Sequence, residues 1–185
     1  MPDQPHKRWT MDFTSDTLGD GRTLRTFNVV DDCTRLCVAI EVDVSLPGER
    51  VGRALDRAAA SYGWPTTIVC DNGPEFTGKA LDQWAYQRGI TLSFIDPGKP
   101  VQNAFVESFN GKFREECLSE NWFTSLAHAR QTTERWRRDY NNVRPHRSLG
   151  HMSPAEYAAS LSPERPSLHQ ESPLGETQTL TSTEP

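Results

Sequence analysis

WTMDFTSDTLGDGRTLRTFNVVDDCTRLCVAIEVDV, residues 9–44, is the stretch that decides the fold. Its first five residues alternate apolar and polar side chains, which is the period of a β-strand and places Asp12 inside that strand. The β-rich runs 24–30 and 36–44 follow across short connections. Because short connections pair neighbouring strands antiparallel, we expect three strands that open one sheet.

The rest of the chain alternates helical and strand patterns. A fourth strand is predicted at 68–70, ending at Asp71, and a fifth at 90–94. Helices are predicted over 51–62, 78–88, 103–118 and 126–140, and Ser153-Pro154-Ala155-Glu156 has the pattern of a capping box that opens a last short helix. This element order predicts an α/β fold.

Length and composition predict one domain and a tail. The 185 residues suffice for one compact domain, predicted over 1–160, and residues 161–185 are rich in Ser, Thr, Pro, Glu and Gln, which predicts a disordered tail. No apolar run is long enough to cross a membrane or to serve as a signal peptide. We therefore expect a cytoplasmic protein with no membrane partner, whose four cysteines are free thiols.

The charge of the chain is uneven. A net charge of −5 and a pI near 5.5 argue against a protein that coats nucleic acid through bulk charge. Residues 99–147, however, contain nine Lys or Arg against six Asp or Glu. The carboxy-terminal half is thus locally basic.

Three acids stand out among the 25 Asp and Glu of the chain, most of which are expected to be solvated surface charges. Asp12 lies in an alternating strand, Asp71 follows an apolar run, and Glu107 borders the apolar stripe of a helix. Carboxylates on separate rigid elements are what two divalent ions require in order to hold the attacking and leaving oxygens of a phosphodiester. Each acid is expected to lie near the core.

The sequences around these acids resemble a known family. The motifs that carry the resemblance are WTMDFTSD (9–16), CDNGPEF (70–76), GKPVQNAFVESFNGKFREECL (98–118), YNNVRPHRSLG (140–150) and SPAEY (153–157). Together they resemble the DDE transposases of bacterial insertion sequences, relatives of retroviral integrases, in the group that encodes its transposase in two overlapping reading frames. The resemblance spans residues 7–159.

The resemblance implies a ribonuclease H-like fold, with a mixed five-stranded sheet flanked by helices. It implies that Asp12, Asp71 and Glu107 are the catalytic, metal-binding triad of a metal-dependent polynucleotidyl transferase. Two Mg²⁺ ions, replaceable by Mn²⁺, would support phosphodiester hydrolysis and DNA strand transfer during transposition. The implied partners are DNA, as transposon ends and target, and further copies of the chain assembled on that DNA.

Several polar residues are candidates for DNA contact. By position, Arg114 matches the family's basic residue seven after the glutamate, and Asn103 and Asn110 share its helix face. Asn72 follows Asp71 in a turn, and Lys112 points in a different direction. The competing interpretation of the helix face is an ordinary solvated surface.

Other basic residues allow two interpretations. The arginines of the helix at 126–140, and Arg144, His146 and Arg147 in the loop after it, either contact phosphates or hold these segments to the core. Asp31 and Asp32 fall outside the triad and are interpreted as structural or turn residues.

Two rival functions follow from the same residues. The family places a helix-turn-helix region before this core, whereas Asp12 lies only eleven residues after Met1. A partial or decayed transposase that binds DNA weakly, or that needs a separate helix-turn-helix protein or region, is therefore the main alternative. A ribonuclease H-type or repair nuclease shares the metal chemistry, but the YNNVRPHRSLG motif disfavours it.

Overall fold

The elements follow the order predicted from the sequence. A computed structural model describes residues 4–73, 76, 78–95 and 103–161. Its elements are β1 (Arg8–Thr17), β2 (Thr23–Asp31), β3 (Cys37–Asp43), α1 (Gly48–Tyr62), β4 (Thr67–Cys70), α2 (Lys79–Gln87), β5 (Thr91–Phe94), α3 (Ala104–Phe113), α4 (Leu126–Asn142) and α5 (Pro154–Leu161). The predicted tail lies outside the described residues, apart from Leu161 at the end of α5.

The five strands form one mixed sheet in the order β3-β2-β1-β4-β5. The first three strands pair antiparallel, as their short connections predict, whereas β4 runs parallel to both β1 and β5. β1 is the central strand, and Asp12 lies near its middle, directly opposite Asn28 on β2. The pairing with β2 therefore fixes the position of Asp12 in the sheet.

Each face of the sheet has its own hydrophobic cluster, which confirms the prediction of helices on both faces. On one face, Trp9 and Met11 of β1 belong to a buried cluster with residues of α1 and α2. On the other face, Val106 and Phe109 of α3 and Tyr140 of α4 are buried in a second cluster. Asp12 points toward the second face, because strand side chains alternate.

Two predicted helix ends are confirmed. Gly63 ends α1 with a φ of 85°, a conformation that favours glycine, and its N–H donates to Ala59. At the start of α5, the N–H of Ser153 donates to the Glu156 carboxylate at 2.8 Å, and the N–H of Glu156 donates to the Ser153 hydroxyl at 3.3 Å. These reciprocal bonds are a capping box.

The helix predicted over 103–118 is not uniform. Its α-helical part ends at Phe113, and Arg114–Leu118 forms a π-helical turn. Hydrogen bonds in such a turn join residues five apart, and Phe113 and Leu118, which are five apart, are both buried. No described helix is both long and apolar enough to cross a membrane.

Candidate active site

Asp12 is a half-buried carboxylate whose negative charge is balanced by few hydrogen bonds. One oxygen accepts the backbone N–H of Phe13 at 2.7 Å, and the other accepts the side-chain amide of Asn110, on α3, at 2.8 Å. Burial raises the pKa of Asp12 to about 6, and the negative charges of Asp71 and Glu107 add to this rise. Within the described part of the chain, Asp12 forms no ion pair.

The other two predicted acids lie close enough to Asp12 for their charges to act on it. Asp71 follows β4 directly, two residues beyond the last register pair of the parallel strands, Thr10 and Val69. Its carboxylate accepts the N–H of Gly73 at 2.9 Å, which closes a tight turn. Glu107 is exposed on α3, one turn before Asn110. Three separate elements thus bring the three acids near one another.

The donor chemistry of the three acids fits Mg²⁺ or Mn²⁺, since hard divalent ions take oxygen ligands. The uncompensated charge on Asp12 is what such an ion would neutralise. Among the described residues, however, no three Asp, Glu, His or Cys side chains are grouped closely enough to hold one ion. The charges of Asp71 and Glu107 act on Asp12, but the described side chains do not form a complete coordination shell.

Asn28 is a site residue that the sequence did not reveal. It is fully buried on β2, and its side-chain amide donates to the side-chain oxygen of Asn110 at 2.8 Å. Asn110 in turn donates to Asp12. An asparagine inside the β-rich run 24–30 was the available signal, but its partner becomes visible only once the strand register is known.

The predicted DNA contacts differ in their exposure. Arg114 is exposed, and its guanidinium donates to the carbonyl of Ser15 at 3.4 Å on β1. Asn72 is also exposed and donates its side-chain amide to the carbonyl of Ile95. Asn103 is 3% exposed, so its side chain is covered rather than presented on the helix face.

Lys112, a further candidate for DNA contact, has other charged residues nearby. It lies near Arg144 and Glu116, and burial is the main reason that its pKa is lowered. Asn110 also departs from a simple DNA contact, because its side chain is engaged by Asp12 and Asn28. Contact of these residues with DNA stays a prediction.

Most of the remaining basic residues are held by the fold. Within α4 and the following loop, the observed pairs are Arg130 with Asp43, Arg137 and Arg138 with Glu134, and Arg144 with Glu116. His146 is buried against Tyr140, and burial lowers its pKa to about 4. These contacts favour the interpretation that the loop is held to the core.

Comparison with known proteins identifies the family. Residues 2–100 and 88–154 match two family models, each described as an integrase core domain. The chain therefore belongs to the integrase core domain family.

The relatives are proteins of bacterial insertion elements, as the resemblance implied. A protein of insertion element IS407 from Burkholderia multivorans is 54% identical over 86% of this chain and 57% of its own length. A protein of IS476 from Xanthomonas euvesicatoria is 51% identical over 84% of this chain and 45% of its own length. A transposase of IS629 from Shigella sonnei is 28% identical over 87% of this chain and 56% of its own length. The chain spans about half the length of these relatives.

Solved structures confirm the ribonuclease H-like fold. A chain of a simian T-cell lymphotropic virus intasome matches with a TM-score of 0.74 and 18% identity, covering 95% of this chain and 61% of that chain. The HTLV-2 integrase catalytic core domain, solved in complex with magnesium, matches with a TM-score of 0.65 and 17% identity, covering 85% of this chain and 99% of that chain. Both likenesses concern the fold.

Proposed function

We propose that the chain is the catalytic domain of an insertion-sequence transposase, a polynucleotidyl transferase that depends on divalent metal ions. Its first reaction would be hydrolysis of a DNA strand at a transposon end. The freed 3′ hydroxyl would then attack a phosphodiester of the target DNA. Family membership and similarity to insertion-element proteins support this proposal.

Asp12, Asp71 and Glu107 would hold two Mg²⁺ ions, or Mn²⁺ in their place. When bound, such ions activate the attacking oxygen and stabilise the leaving oxygen of a phosphodiester. Asp12 is the best supported of the three ligands, because the fold buries its charge and supplies no cation within the described residues. This uncompensated carboxylate, beside two further acids, is the observation that carries the proposal.

The surrounding residues would position Asp12 and the DNA. One oxygen of Asp12 accepts a hydrogen bond from Asn110 and the other accepts one from Phe13, so each oxygen keeps a further lone pair for a metal ion. Arg114 is exposed, lies next to the Ser15 carbonyl of β1 and would contact a DNA phosphate. Transposon ends and target DNA would be the substrates, and copies of the chain would assemble on them.

The decisive experiment replaces Glu107 with Gln in the chain and measures cleavage and joining of labelled transposon-end DNA in Mg²⁺ and in Mn²⁺. Loss of both reactions is expected, because the amide keeps the size of Glu107 but removes the charge that a metal ligand needs. Glu115→Gln is the matched control, since Glu115 is an exposed acid next to the same helix. Undiminished joining by Glu107→Gln would refute the assignment.

A second candidate function is weak DNA binding without independent transposition. The pairing of most described arginines within the fold and the net charge of −5 favour it. Binding would then be sequence-independent and strongly reduced by salt, because it would rest on phosphate contacts. A helix-turn-helix protein or region would have to supply recognition of the ends. Metal-dependent joining of end DNA by the chain alone would exclude this candidate.

A further inference from the structure

We propose that Asn28 is a positioning residue for the metal site and acts on Asp12 through Asn110. The inference rests on the proposed function, because it assumes that Asp12 binds a metal ion. Asn28 is fully buried and donates a hydrogen bond to Asn110, so its effect on the metal site would be indirect.

The hydrogen bonds run in one direction. The Asn28 side-chain amide donates to the side-chain oxygen of Asn110 at 2.8 Å, and the amide of Asn110 donates to Asp12 at 2.8 Å. An asparagine side chain has a donor end and an acceptor end. Because Asn28 offers Asn110 a donor, it fixes the acceptor end of Asn110 toward β2 and the donor end toward Asp12.

Asn28 is itself held in this orientation. Its amide nitrogen also lies 3.4 Å from the hydroxyl of Thr14 on β1, and the sheet register sets Asn28 opposite Asp12. If Asn110 turned over, its oxygen would face the Asp12 carboxylate and its amide would face the Asn28 amide. Both contacts would then be repulsive, so the amide network favours a single orientation of Asn110, in which its donor end holds the Asp12 carboxylate.

Fold stability alone does not explain an asparagine at this position. The side-chain oxygen of Asn28 is buried and has no hydrogen-bond partner among the described residues. A buried polar atom without a partner destabilises a fold. An apolar residue would remove that penalty, although it would also remove the hydrogen bond to Asn110. We therefore interpret Asn28 as a functional rather than a structural residue.

The test is calorimetric titration of the metal-free chain with Mn²⁺, alongside thermal melting. Asn28→Leu keeps the branched shape of the side chain but removes the donor, and we expect it to weaken Mn²⁺ binding about 10-fold, as for other partners of metal ligands, while thermal melting shows that the variant stays folded. Thr26→Val is the matched control, because Thr26 is buried on the same strand and face and its hydroxyl donates to the backbone carbonyl of Thr14. Its Mn²⁺ affinity should be unchanged.

A double-mutant cycle distinguishes action through Asn110 from a general disturbance of the sheet. In an Asn110→Ala background, Asn28→Leu should change Mn²⁺ affinity by less than about 2-fold, because the path to Asp12 is already broken. An unchanged affinity of Asn28→Leu in the wild-type background, or an equal loss in both backgrounds, would overturn the inference. Should the leucine variant not fold, Asn28→Thr, whose hydroxyl is too short to reach Asn110, must show the same loss.

One further variant separates this inference from the proposed function. Asp12→Asn should abolish the tightest Mn²⁺ binding. If it does so while Asn28→Leu binds normally, only the role of Asn28 is wrong. If Asp12→Asn binds Mn²⁺ as the wild type does, Asp12 is not a ligand and the proposed metal site itself fails.

Discussion

Asp12 in the middle of β1 and the pair Asp31–Asp32 at the end of β2 are aspartates withdrawn from water, yet the fold treats them differently. Asp31 accepts the backbone N–H groups of His6, Cys33 and Thr34 and the hydroxyl of Thr34, at 2.6 to 3.1 Å. Asp12 receives one backbone N–H and one side-chain amide. The protein satisfies the strand-end acids with its own donors and leaves Asp12 short of them.

A raised pKa does not distinguish the two sets. Burial raises the pKa of Asp12 and of Asp32 to about 6. The surrounding charges differ in sign, since Arg8 and Arg35 lower the pKa of Asp32 whereas Asp71 and Glu107 raise that of Asp12. Asp32 has an internal counter-ion, with Arg8 at 3.0 Å. Asp32 also lies beside an acid, Asp31, so what marks a candidate metal ligand is a buried acid that has neighbouring acids and no internal counter-ion.

The largest expected effect concerns the strand-end pair. Asp31→Ala should lower the free energy of unfolding by about 3 kcal/mol or more, because it leaves several buried donors without an acceptor. Asp12→Asn should destabilise the chain much less at pH 7, since the buried charge that it removes has no counter-ion, which offsets the one hydrogen bond that it loses. Urea unfolding of both variants measures the difference. Equal losses of unfolding free energy in the two variants would contradict the difference proposed between Asp12 and the strand-end pair.

The sequence predicted those parts of the fold that depend on local pattern. Alternation identified β1, the apolar run before Asp71 identified β4, and the Ser153–Glu156 spacing identified the capping box, because each signal lies within a few adjacent residues. The three acids were found through the family motifs around them. Their assignment as ligands stays a prediction.

Contacts distant in sequence were beyond the reach of these patterns. The bond from Asn28 to Asn110 joins residues 82 positions apart, and that from Arg130 to Asp43 joins residues 87 apart. Both depend on strand register and on how helices pack across the sheet. The π-helical turn at Arg114–Leu118 was not predicted either, because it depends on packing and has no local sequence motif.

A smaller effect is expected from pH. The pKa of Asp12 is about 6 in the folded chain against an ordinary value of 3.8, so folding strengthens proton binding. Asp12 therefore favours the folded state below pH 4, and this contribution is lost as the pH rises to 6. Without divalent ions, the wild type should lose roughly 2 kcal/mol of stability relative to Asp12→Asn across this range, after allowance for partial exposure. Parallel urea titrations at pH 4 and 7 measure it, and a constant difference would contradict the raised pKa.

The smallest effect tests directly whether partners, rather than pKa values, separate Asp12 from Asp32. A ligand that binds only the folded state stabilises it, by about 1.4 kcal/mol at ten times its dissociation constant. Mg²⁺ should therefore raise the melting temperature of the wild type and of Asp32→Asn. Each chain is compared with its own metal-free sample, so that the destabilisation caused by the substitution itself cancels. Mg²⁺ should not raise the melting temperature of Asp12→Asn, which lacks the ligand. If Asp32→Asn lost the Mg²⁺ response and Asp12→Asn kept it, the ion would bind at the strand-end pair, and a buried acid with an internal counter-ion would be the metal ligand.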